Sequence, residues 1–234
     1  MLAILGAMDK ETARLFREME IEKEEKCGFS RIAVGRLMGV RCVLACCGIG
    51  KVHAAMCAQA VLDRYPVSAV VNIGVAGALD ETLAIADCVV ATSAVQHDID
   101  TSPIGDPVGL ISGPGIVHIP CDEKLQGLLL RAAGETGCRA VRAAIATGDQ
   151  FIVGTETKQK LKNSFGAAAC DMEGGAIAQV CYEYGVPYAA YRTVSDTVSG
   201  NGREYELNAK DAADRSQTLL ARFLQDYKED CIHE

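Results

Sequence analysis

Apolar runs of strand length alternate with amphipathic segments along most of this chain, and this alternation is the strongest constraint on its fold. The strand-like runs are 2–7, 40–48, 68–74, 87–95, 139–148 and 187–195, and the helix-like segments are 10–20, 51–65, 122–136, 172–185 and a last one near 207–229. Strands that read as continuous apolar runs are typical of a sheet covered by helices on both faces. We therefore predict an α/β fold of three layers, a sandwich around a largely parallel sheet.

The length and charge of the chain limit its organisation and its partners. Its 234 residues, 49% of them hydrophobic, can bury a full core, and no repeat, linker or low-complexity segment divides them. We expect one domain over residues 1–234. The net charge of −8, from 31 acidic and 23 basic side chains, leaves no basic surface to neutralise a phosphate backbone. Nucleic acid is therefore not an expected partner.

The N-terminal segment and the cysteines indicate the compartment. The opening run "MLAILGAM" has no basic segment before it and is followed at once by "DKE", so it is too short for a signal sequence or a membrane span. The eleven cysteines are an odd number, include no CxxC pair, and lie partly in apolar runs, as buried core cysteines do. We expect a cytoplasmic protein without a membrane partner.

Polar and small residues follow several of the predicted strands, which is where ligand sites of α/β sheets lie. The residues in these positions are Glu11, Ala76, Gly77, Phe151, Ile152, Ser195 and Asp196. Each type also has a purely structural interpretation, because glycines make tight turns, aspartates cap turns, and glutamates favour the first turn of a helix. On the residues alone, both interpretations remain open.

One largely apolar segment, "AAACDMEGGAIAQVC" at 167–181, carries the two acids Asp171 and Glu173. An isolated buried carboxylate is costly unless hydrogen-bond donors surround it, and a polyhydroxyl ligand such as ribose would supply them. Gly174 and Gly175 follow directly, although each glycine costs a helix about 1 kcal/mol relative to alanine. Glu173 is therefore a candidate sugar ligand, whereas we interpret Asp171 as an acid that stabilises the N-terminus of a helix.

Several common types of site have no motif in this sequence. Neither GxGxxG nor GxxxxGK[ST] occurs, which argues against a Rossmann cofactor site and against a P-loop. In "QHDID", His97 and Asp98 would point to opposite faces of an extended segment, and no second cluster completes a metal shell. We therefore expect no metal.

Seven motifs follow one another in a fixed order: "GAMDKE", "CGIGKVHAA", "NIGVAGALD", "HDID" with its Gly/Pro-rich continuation, "TGDQFI", "DMEGGAIAQVC" and "RTVSD". Together they resemble, over essentially the whole chain, the 5′-methylthioadenosine/S-adenosylhomocysteine nucleosidases of the nucleoside phosphorylase superfamily. The resemblance implies a single α/β domain with a central mixed sheet, usually dimeric. It also implies hydrolysis of the N-glycosidic bond of an adenine nucleoside with a 5′-thio substituent, without a metal or organic cofactor.

The resemblance assigns catalytic roles to two acids. Glu11 looks like the residue that orients and deprotonates the attacking water, and Asp196 looks like the acid that protonates N7 of the purine, with Ser195 positioning it. Breaking a ribosyl C–N bond builds positive charge on the sugar and negative charge on the purine. An acid on the base side and water activation on the other face are therefore both needed, by analogy with inverting glycosidases.

Further residues match positions that contact the sugar and its 5′ substituent in this family. The resemblance implies that Glu173 binds the ribose hydroxyls and that Arg192 supports the ribose end. The segment 100–118 is expected to reach into the pocket of the neighbouring subunit of a homodimer. Thr101 and Ile104 in that segment are therefore candidates to contact the 5′ substituent.

The base has its own expected contacts. The resemblance implies that Phe151 stacks near adenine and that the backbone of Ile152 reads its edge. Ala76 and Gly77 would line the floor of the pocket, and Met172 would lie under the sugar. These contacts predict a small-molecule nucleoside as the binding partner.

The sequence departs from the family pattern at two positions and leaves three alternatives. Val75 stands where many members carry a hydroxyl residue, and Ala78 replaces a glycine, which keeps a futalosine-type nucleoside hydrolase open. A purine nucleoside phosphorylase would need arginines to hold phosphate bidentately, and none lies in "GAMDKE" or beside "VAGALD". A nucleoside-binding protein without catalysis is the third alternative, although Glu11 and Asp196 are both present.

Overall fold

The structure, a computed structural model, describes the backbone of residues 1–232 and the side chains of residues 1–228. Within these residues the elements, in chain order, are β1 Leu2–Gly6, α1 Asp9–Glu18, β2 Glu20–Cys27, β3 Ser30–Leu37, β4 Val40–Cys46, α2 Lys51–Arg64, β5 Ala69–Asn72, β6 Val75–Ala78, β7 Cys88–Gln96, a 3-10 turn Ser102–Ile104, β8 Ile119–Pro120, α3 Glu123–Glu135, β9 Ala140–Thr147, α4 Thr155–Phe165, β10 Ala167–Asp171, α5 Gly174–Tyr184, β11 Tyr188–Asp196 and α6 Gly202–Ile232.

The strands form one mixed sheet in the order β2-β3-β4-β1-β5-β11-β6-β10-β9-β7-β8. β1 pairs in parallel with β4 and β5, and β11 in parallel with β5 and β6, whereas the β2–β3–β4 meander is antiparallel. β11 also pairs antiparallel with β7, so the second half of the sheet curls back and closes on itself. The expected α/β architecture with a central mixed sheet is confirmed.

Helices cover both faces of the sheet because successive strand residues point to opposite sides. Leu5 of β1 packs in the cluster that contains residues of α2 and α5, whereas Ile4 packs in the cluster that contains residues of α1, α3 and α6. Both residues are fully buried. Continuous apolar strands therefore mark a sheet with two buried faces, as the sequence indicated.

Several elements differ from the sequence prediction. β2 reads "EIEKEEKC" and is an exposed edge strand, so it has no apolar run to detect. The glycine-containing segment after β5 is strand β6 rather than a turn alone, and it pairs with β10 and β11. β3, α4 and β10 were not predicted as separate elements, and α6 begins at Gly202 rather than near residue 207.

The topology brings the ends of several strands to one edge of the sheet. Glu11 lies in the first turn of α1 directly after β1, and Glu173 precedes α5 directly after β10. Asp196 is the last residue of β11.

Among the described residues, no helix combines the length and the apolar character that a membrane span requires.

Candidate active site

A cavity of about 240 Å³ opens at this edge of the sheet. It brings together nine of the twelve predicted site residues: Glu11, Ala76, Gly77, Phe151, Ile152, Met172, Glu173, Ser195 and Asp196. The wall also contains residues to which the sequence had assigned no contact with a ligand: Met8, Ile49, Val75, Gln150, Cys170, Asp171 and Tyr205. Three predicted residues, Thr101, Ile104 and Arg192, are not part of this wall.

Three backbone N–H groups hold the carboxylate of Glu11. Its Oε2 accepts hydrogen bonds from the amides of Ala7 and Met8, both at 2.9 Å, and its Oε1 accepts one from Val75 at 3.0 Å. Burial raises the pKa of Glu11, although these three hydrogen bonds work in the opposite direction. A β-carbon on Gly74 would lie 2.7 Å from Oε1, so only glycine leaves room for this arrangement. Glu11 is thus a fixed and more basic carboxylate.

Glu173 lies at the N-terminus of α5, on the cavity wall. Its Oε1 accepts a hydrogen bond of 2.8 Å from the amide of Gly50, at the start of α2. Burial, followed by the nearby charges of Asp171 and Glu11, raises the pKa of Glu173 to about 8. Glu173 therefore holds its proton at neutral pH, and among the side chains that the structure describes none donates to its carboxyl.

Asp171 on the cavity wall forms a buried ion pair with Arg192, which lies outside the wall. Oδ2 of Asp171 accepts from the Arg192 guanidinium at 2.5 Å, and Oδ1 accepts from the Thr147 hydroxyl at 2.5 Å. Arg192 also donates to the backbone and side-chain oxygens of Asn72. A third acceptor of Arg192 is the carbonyl oxygen of Tyr191, and Arg192 is not part of the cavity wall. Its expected support of the ribose end remains a prediction.

The glycine pair after Glu173 is explained by close packing at the same place. Asp171 accepts a hydrogen bond from the amide of Gly174 at 3.1 Å, so it does stabilise the helix N-terminus as expected. A β-carbon on Gly174 would lie 2.6 Å from Oδ2 of Asp171, and one on Gly175 would lie 2.8 Å from the side chain of Gln96. The two glycines therefore let α5 approach the ion pair and β7.

Asp196 has partners on both carboxylate oxygens. The Ser195 hydroxyl lies 3.0 Å from Oδ1 and also 3.1 Å from the carbonyl oxygen of Ala76, and its single proton serves one of them at a time. The Lys158 ammonium donates to Oδ2 at 2.7 Å. Sequence reasoning missed Lys158. The available signal was its helical spacing with Leu161 and Phe165, which places it on the buried face of α4.

Aromatic residues form the outer part of the cavity. Phe151 is 47% exposed, and its ring meets the ring of Tyr205 edge-on with 5.2 Å between centroids. Tyr205 comes from the first turns of α6, the part of this helix that the sequence prediction omitted. Ile152 beside them is buried. Aromatic side chains in such a wall can pack against a flat ligand.

Thr101 and Ile104 lie outside the cavity of their own chain. The Thr101 hydroxyl donates to Asp106 at 2.8 Å, and Ile104 is 81% exposed. Their predicted contact with a 5′ substituent in a neighbouring subunit remains a prediction. Asp98 forms an ion pair with the Lys51 ammonium at 2.6 Å. The described residues contain no group of His, Cys, Asp or Glu arranged to hold a metal.

Comparison with known proteins agrees with this geometry in family, length and fold. Residues 1–225 match the model of the phosphorylase superfamily. The chain is 34% identical over 202 residues to a 5′-methylthioadenosine/S-adenosylhomocysteine nucleosidase of Shewanella halifaxensis, a match that covers 86% of this chain and 87% of that protein. A nucleosidase of the same name from Shewanella piezotolerans is 34% identical over 200 residues, or 85% of this chain and 86% of that protein.

Solved structures extend the similarity to nearly the full chain. The futalosine hydrolase of Helicobacter pylori superposes with a TM-score of 0.90 at 30% identity, covering 96% of this chain and 97% of that one. The nucleosidase of Neisseria meningitidis in complex with methylthio-immucillin-A gives a TM-score of 0.90 at 30% identity, covering 96% and 98%. Both a 5′-methylthioadenosine/S-adenosylhomocysteine nucleosidase and a futalosine hydrolase therefore share this fold.

Proposed function

This chain belongs to the phosphorylase superfamily, and from that premise we propose that it hydrolyses the N-glycosidic bond of 5′-methylthioadenosine and S-adenosylhomocysteine. The products are adenine and the 5′-thioribose. The proposal is supported by the curated nucleosidases that match along most of their length and by the Neisseria nucleosidase in complex with methylthio-immucillin-A. The observation that carries it is one cavity with Glu11, Glu173 and Asp196 on its wall.

Glu11 has the properties of a general base for water. Three amide donors fix its orientation, and burial raises its pKa, so its ionised form accepts a proton more readily than an exposed glutamate. Water bound to this carboxylate would attack C1′ of the ribose as positive charge develops there. No metal or organic cofactor is needed for this step.

Asp196 is assigned to the opposite end of the reaction, at the base. Its carboxyl is nearly fully buried, and Ser195 restricts its orientation through Oδ1. The purine gains negative charge as the bond breaks, and a proton delivered to N7 neutralises that charge. Phe151 and the backbone of Ile152 would hold the adenine ring beside Asp196, above a floor of Ala76 and Gly77.

Glu173 is assigned to the ribose, with Met172 under the sugar. Hydrogen bonds between a buried carboxyl and hydroxyl groups are strong because the surroundings have a low dielectric constant. The single amide donor from Gly50 leaves most of the hydrogen-bonding capacity of Glu173 for a ligand. Arg192 contributes indirectly, by holding Asp171 beside this residue.

The charge of the cavity favours hydrolysis over phosphorolysis. Among the described residues on the wall there is no arginine, lysine or histidine, whereas there are four acids. A phosphate nucleophile near Glu11 would be repelled, and phosphate is usually held by bidentate arginines. Water is therefore the nucleophile that fits this site.

We further propose that the chain is a single domain that functions as a homodimer. An apolar stripe leads out from the cavity along α2, formed by Ile49, Val52 and Met56, which are 53%, 68% and 54% exposed. Phe29, 71% exposed, lies beside the stripe, with its ring stacked on His53. Exposed apolar patches of this kind support an interface, and Ile49 belongs to both the stripe and the cavity wall.

A cytoplasmic location remains a proposal. The ten cysteines whose side chains are described are all unpaired, which is the usual state in a reducing compartment. Exposure of the protein to thiol reductants should therefore leave its activity and its thermal stability unchanged.

The deciding experiment is base release by the purified protein, with and without phosphate. We expect adenine from 5′-methylthioadenosine and S-adenosylhomocysteine, independent of phosphate. Futalosine belongs in the same assay because its hydrolase in H. pylori shares the fold and because Val75 and Ala78 depart from the family pattern in β6, which lines the cavity. Strict dependence on phosphate would contradict the hydrolytic assignment, and ligand binding without any base release would indicate a binding protein.

A further inference from the structure

Lys158 is a fully buried lysine on the apolar face of α4. It shares a helical stripe with Leu161 and Phe165, and its side chain is 0% exposed. Its ammonium donates at 2.7 Å to Oδ2 of Asp196 and at 2.7 Å to the carbonyl oxygen of Thr197. A buried ammonium is costly unless it is paired, and a leucine at this position would pack without that cost. The position therefore calls for a functional explanation.

The ion pair creates a difficulty for an acid on the base side of the substrate. An ammonium at 2.7 Å favours the ionised form of the carboxyl of Asp196. A carboxylate has no proton to give to a departing purine. Either the proton reaches Asp196 from elsewhere, or the pair itself holds it.

Among the described residues, the other titratable groups around the pair do not offer another source of the proton. β10 contributes Cys170, whose thiol has a pKa raised by burial to about 12. α6 contributes Glu204, whose carboxylate accepts hydrogen bonds from the amide and hydroxyl of Thr197. β6 faces Asp196 with the backbone of Gly77. Across the cavity lie Glu11 and Glu173, which are already assigned to water and ribose.

We propose that Lys158 and Asp196 share one proton and act as a single acid, with Lys158 as the positioning residue that keeps this proton available to Asp196. The inference rests on the proposed function. As the C1′–N9 bond breaks, its electron pair passes to the purine, Asp196 delivers a proton to N7, and Lys158 gives up one proton to the carboxyl. Lys158 is left as a neutral amine hydrogen-bonded to the carboxylate, and it regains a proton from water after the base leaves.

A shared proton fixes the direction of the pH dependence. A proton that can reside on either of two buried groups is retained to higher pH than a proton on the carboxyl alone. In Lys158→Met, the alkaline limb of kcat/KM for 5′-methylthioadenosine therefore moves to lower pH. A lysine that only stabilised the ionised carboxylate of Asp196 would give the opposite shift. Its removal would make the carboxyl a weaker acid, so the alkaline limb would move to higher pH.

An arginine at position 158 tests whether the positive charge alone is sufficient or whether a transferable proton is required. A guanidinium keeps the positive charge but does not release its proton. K158R should therefore lose about 100-fold or more in kcat for 5′-methylthioadenosine at neutral pH, with a smaller loss at acidic pH. K162M is the matched control, because Lys162 lies one turn further along α4 and pairs with Asp80 at the surface at 3.2 Å.

A second substrate distinguishes this role from a structural one. The 4-nitrophenyl 5-methylthioriboside has a leaving group that needs no proton, so K158M, K158R and D196N should all hydrolyse it within about threefold of the wild-type rate. Full activity of K158R on 5′-methylthioadenosine at neutral pH, or an alkaline limb that moves upward in K158M, would overturn the shared proton. Equal losses on both substrates would also overturn it.

The same assays separate this inference from the proposed function. Failure of the wild-type protein to release adenine from 5′-methylthioadenosine would contradict the proposed function itself. An active wild-type enzyme with Lys158 variants that match K162M would contradict only the shared proton. Additivity is a further test: K158M combined with D196N should be no slower than D196N alone, because residues that act as one unit are not additive.

Discussion

Glu173 illustrates how one buried carboxyl is matched to a sugar. Its pKa of about 8 results from burial and from the neighbouring acids Asp171 and Glu11. The protonated carboxyl can donate one hydrogen bond and accept others, and the ionised carboxylate can accept from two hydroxyls. In either protonation state Glu173 can therefore form hydrogen bonds with the hydroxyl groups of a ribose.

Glu173→Gln should stabilise the empty protein at alkaline pH. Because the pKa is raised from 4.5 to about 8, the folded state binds more protons than the unfolded state in this range, and stability falls as pH rises through it. The Gln variant lacks this loss, so its Tm should exceed that of the wild type by about 3 °C or more at alkaline pH. The difference should vanish when both proteins are compared well below pH 4.5.

Glu11→Gln should abolish most of the activity without preventing ligand binding. Loss of the general base should lower kcat by about 10²- to 10⁴-fold for 5′-methylthioadenosine. In the wild type the raised pKa of Glu11 places the acid limb of the pH–rate profile above pH 4.5, because only the ionised form accepts a proton. Calorimetric titration with adenine measures the retained binding, and a fully active variant would remove Glu11 from the mechanism.

The start of α5 is the element where local preference and packing conflict. Two glycines in the first turn weaken a helix, yet a β-carbon at Gly175 would lie 2.8 Å from Gln96 and 3.0 Å from Thr147. Thr147 donates to Asp171 and accepts from the amide of Gly175 at 2.7 Å. The glycines therefore maintain the contact between the helix, the ion pair and the neighbouring strands.

Gly175→Ala should destabilise the protein although alanine is the better helix former. Overpacking against Gln96 and Thr147 costs about 1–3 kcal/mol, which outweighs the gain in helix propensity. The matched control is Gly127→Ala on α3, where nothing lies within 4 Å of the added carbon. Urea unfolding should show a gain of about 0.5–1 kcal/mol for the control. Equal gains in both variants would contradict the packing argument.

The sequence predicted most of the elements that have a buried apolar pattern, although it missed the buried strands β3 and β10. β1, β4, β5, β7 and β11 are apolar, and their limits agree with the structure to within one or two residues. β2 was not predicted because this exposed edge strand has no buried apolar face, and α4 was not predicted because "TETKQKLKNSF" is mostly polar. Nine site residues could be located from strand ends and motif order, whereas Lys158 and Tyr205 reach the site from distant elements by tertiary packing.

At the scale of the whole molecule, the apolar stripe on α2 connects assembly with the cavity. Val52→Asp together with Met56→Asp should give a monomer, because a buried interface does not accommodate unpaired carboxylates. We also expect a lower kcat/KM for 5′-methylthioadenosine, since Ile49 joins the stripe to the cavity wall. Light scattering coupled to size exclusion measures the mass. Ile21→Asp, on the edge strand β2, is the control.

A monomeric wild-type protein would contradict the proposed dimer and, with it, the role predicted for Thr101 and Ile104. If the stripe variant is monomeric but fully active, the dimer exists and the cavity is complete within one chain. The two results lead to different conclusions about whether the segment 100–118 contributes to the cavity of a neighbouring subunit. Activity and mass therefore need to be measured on the same preparation.

β11 is held more firmly than any other strand that ends at the cavity. It hydrogen-bonds to β5, β6 and β7, and its nine residues are all buried. In amide hydrogen exchange, its N–H groups should therefore be among the last to be replaced by deuterium, through global unfolding alone. Glu11 lies in the first turn of α1, at the end of the cavity assigned to the sugar, and its N–H group should exchange earlier. Local opening of the cavity would then occur on the sugar side, while the residue that meets the base remains in place.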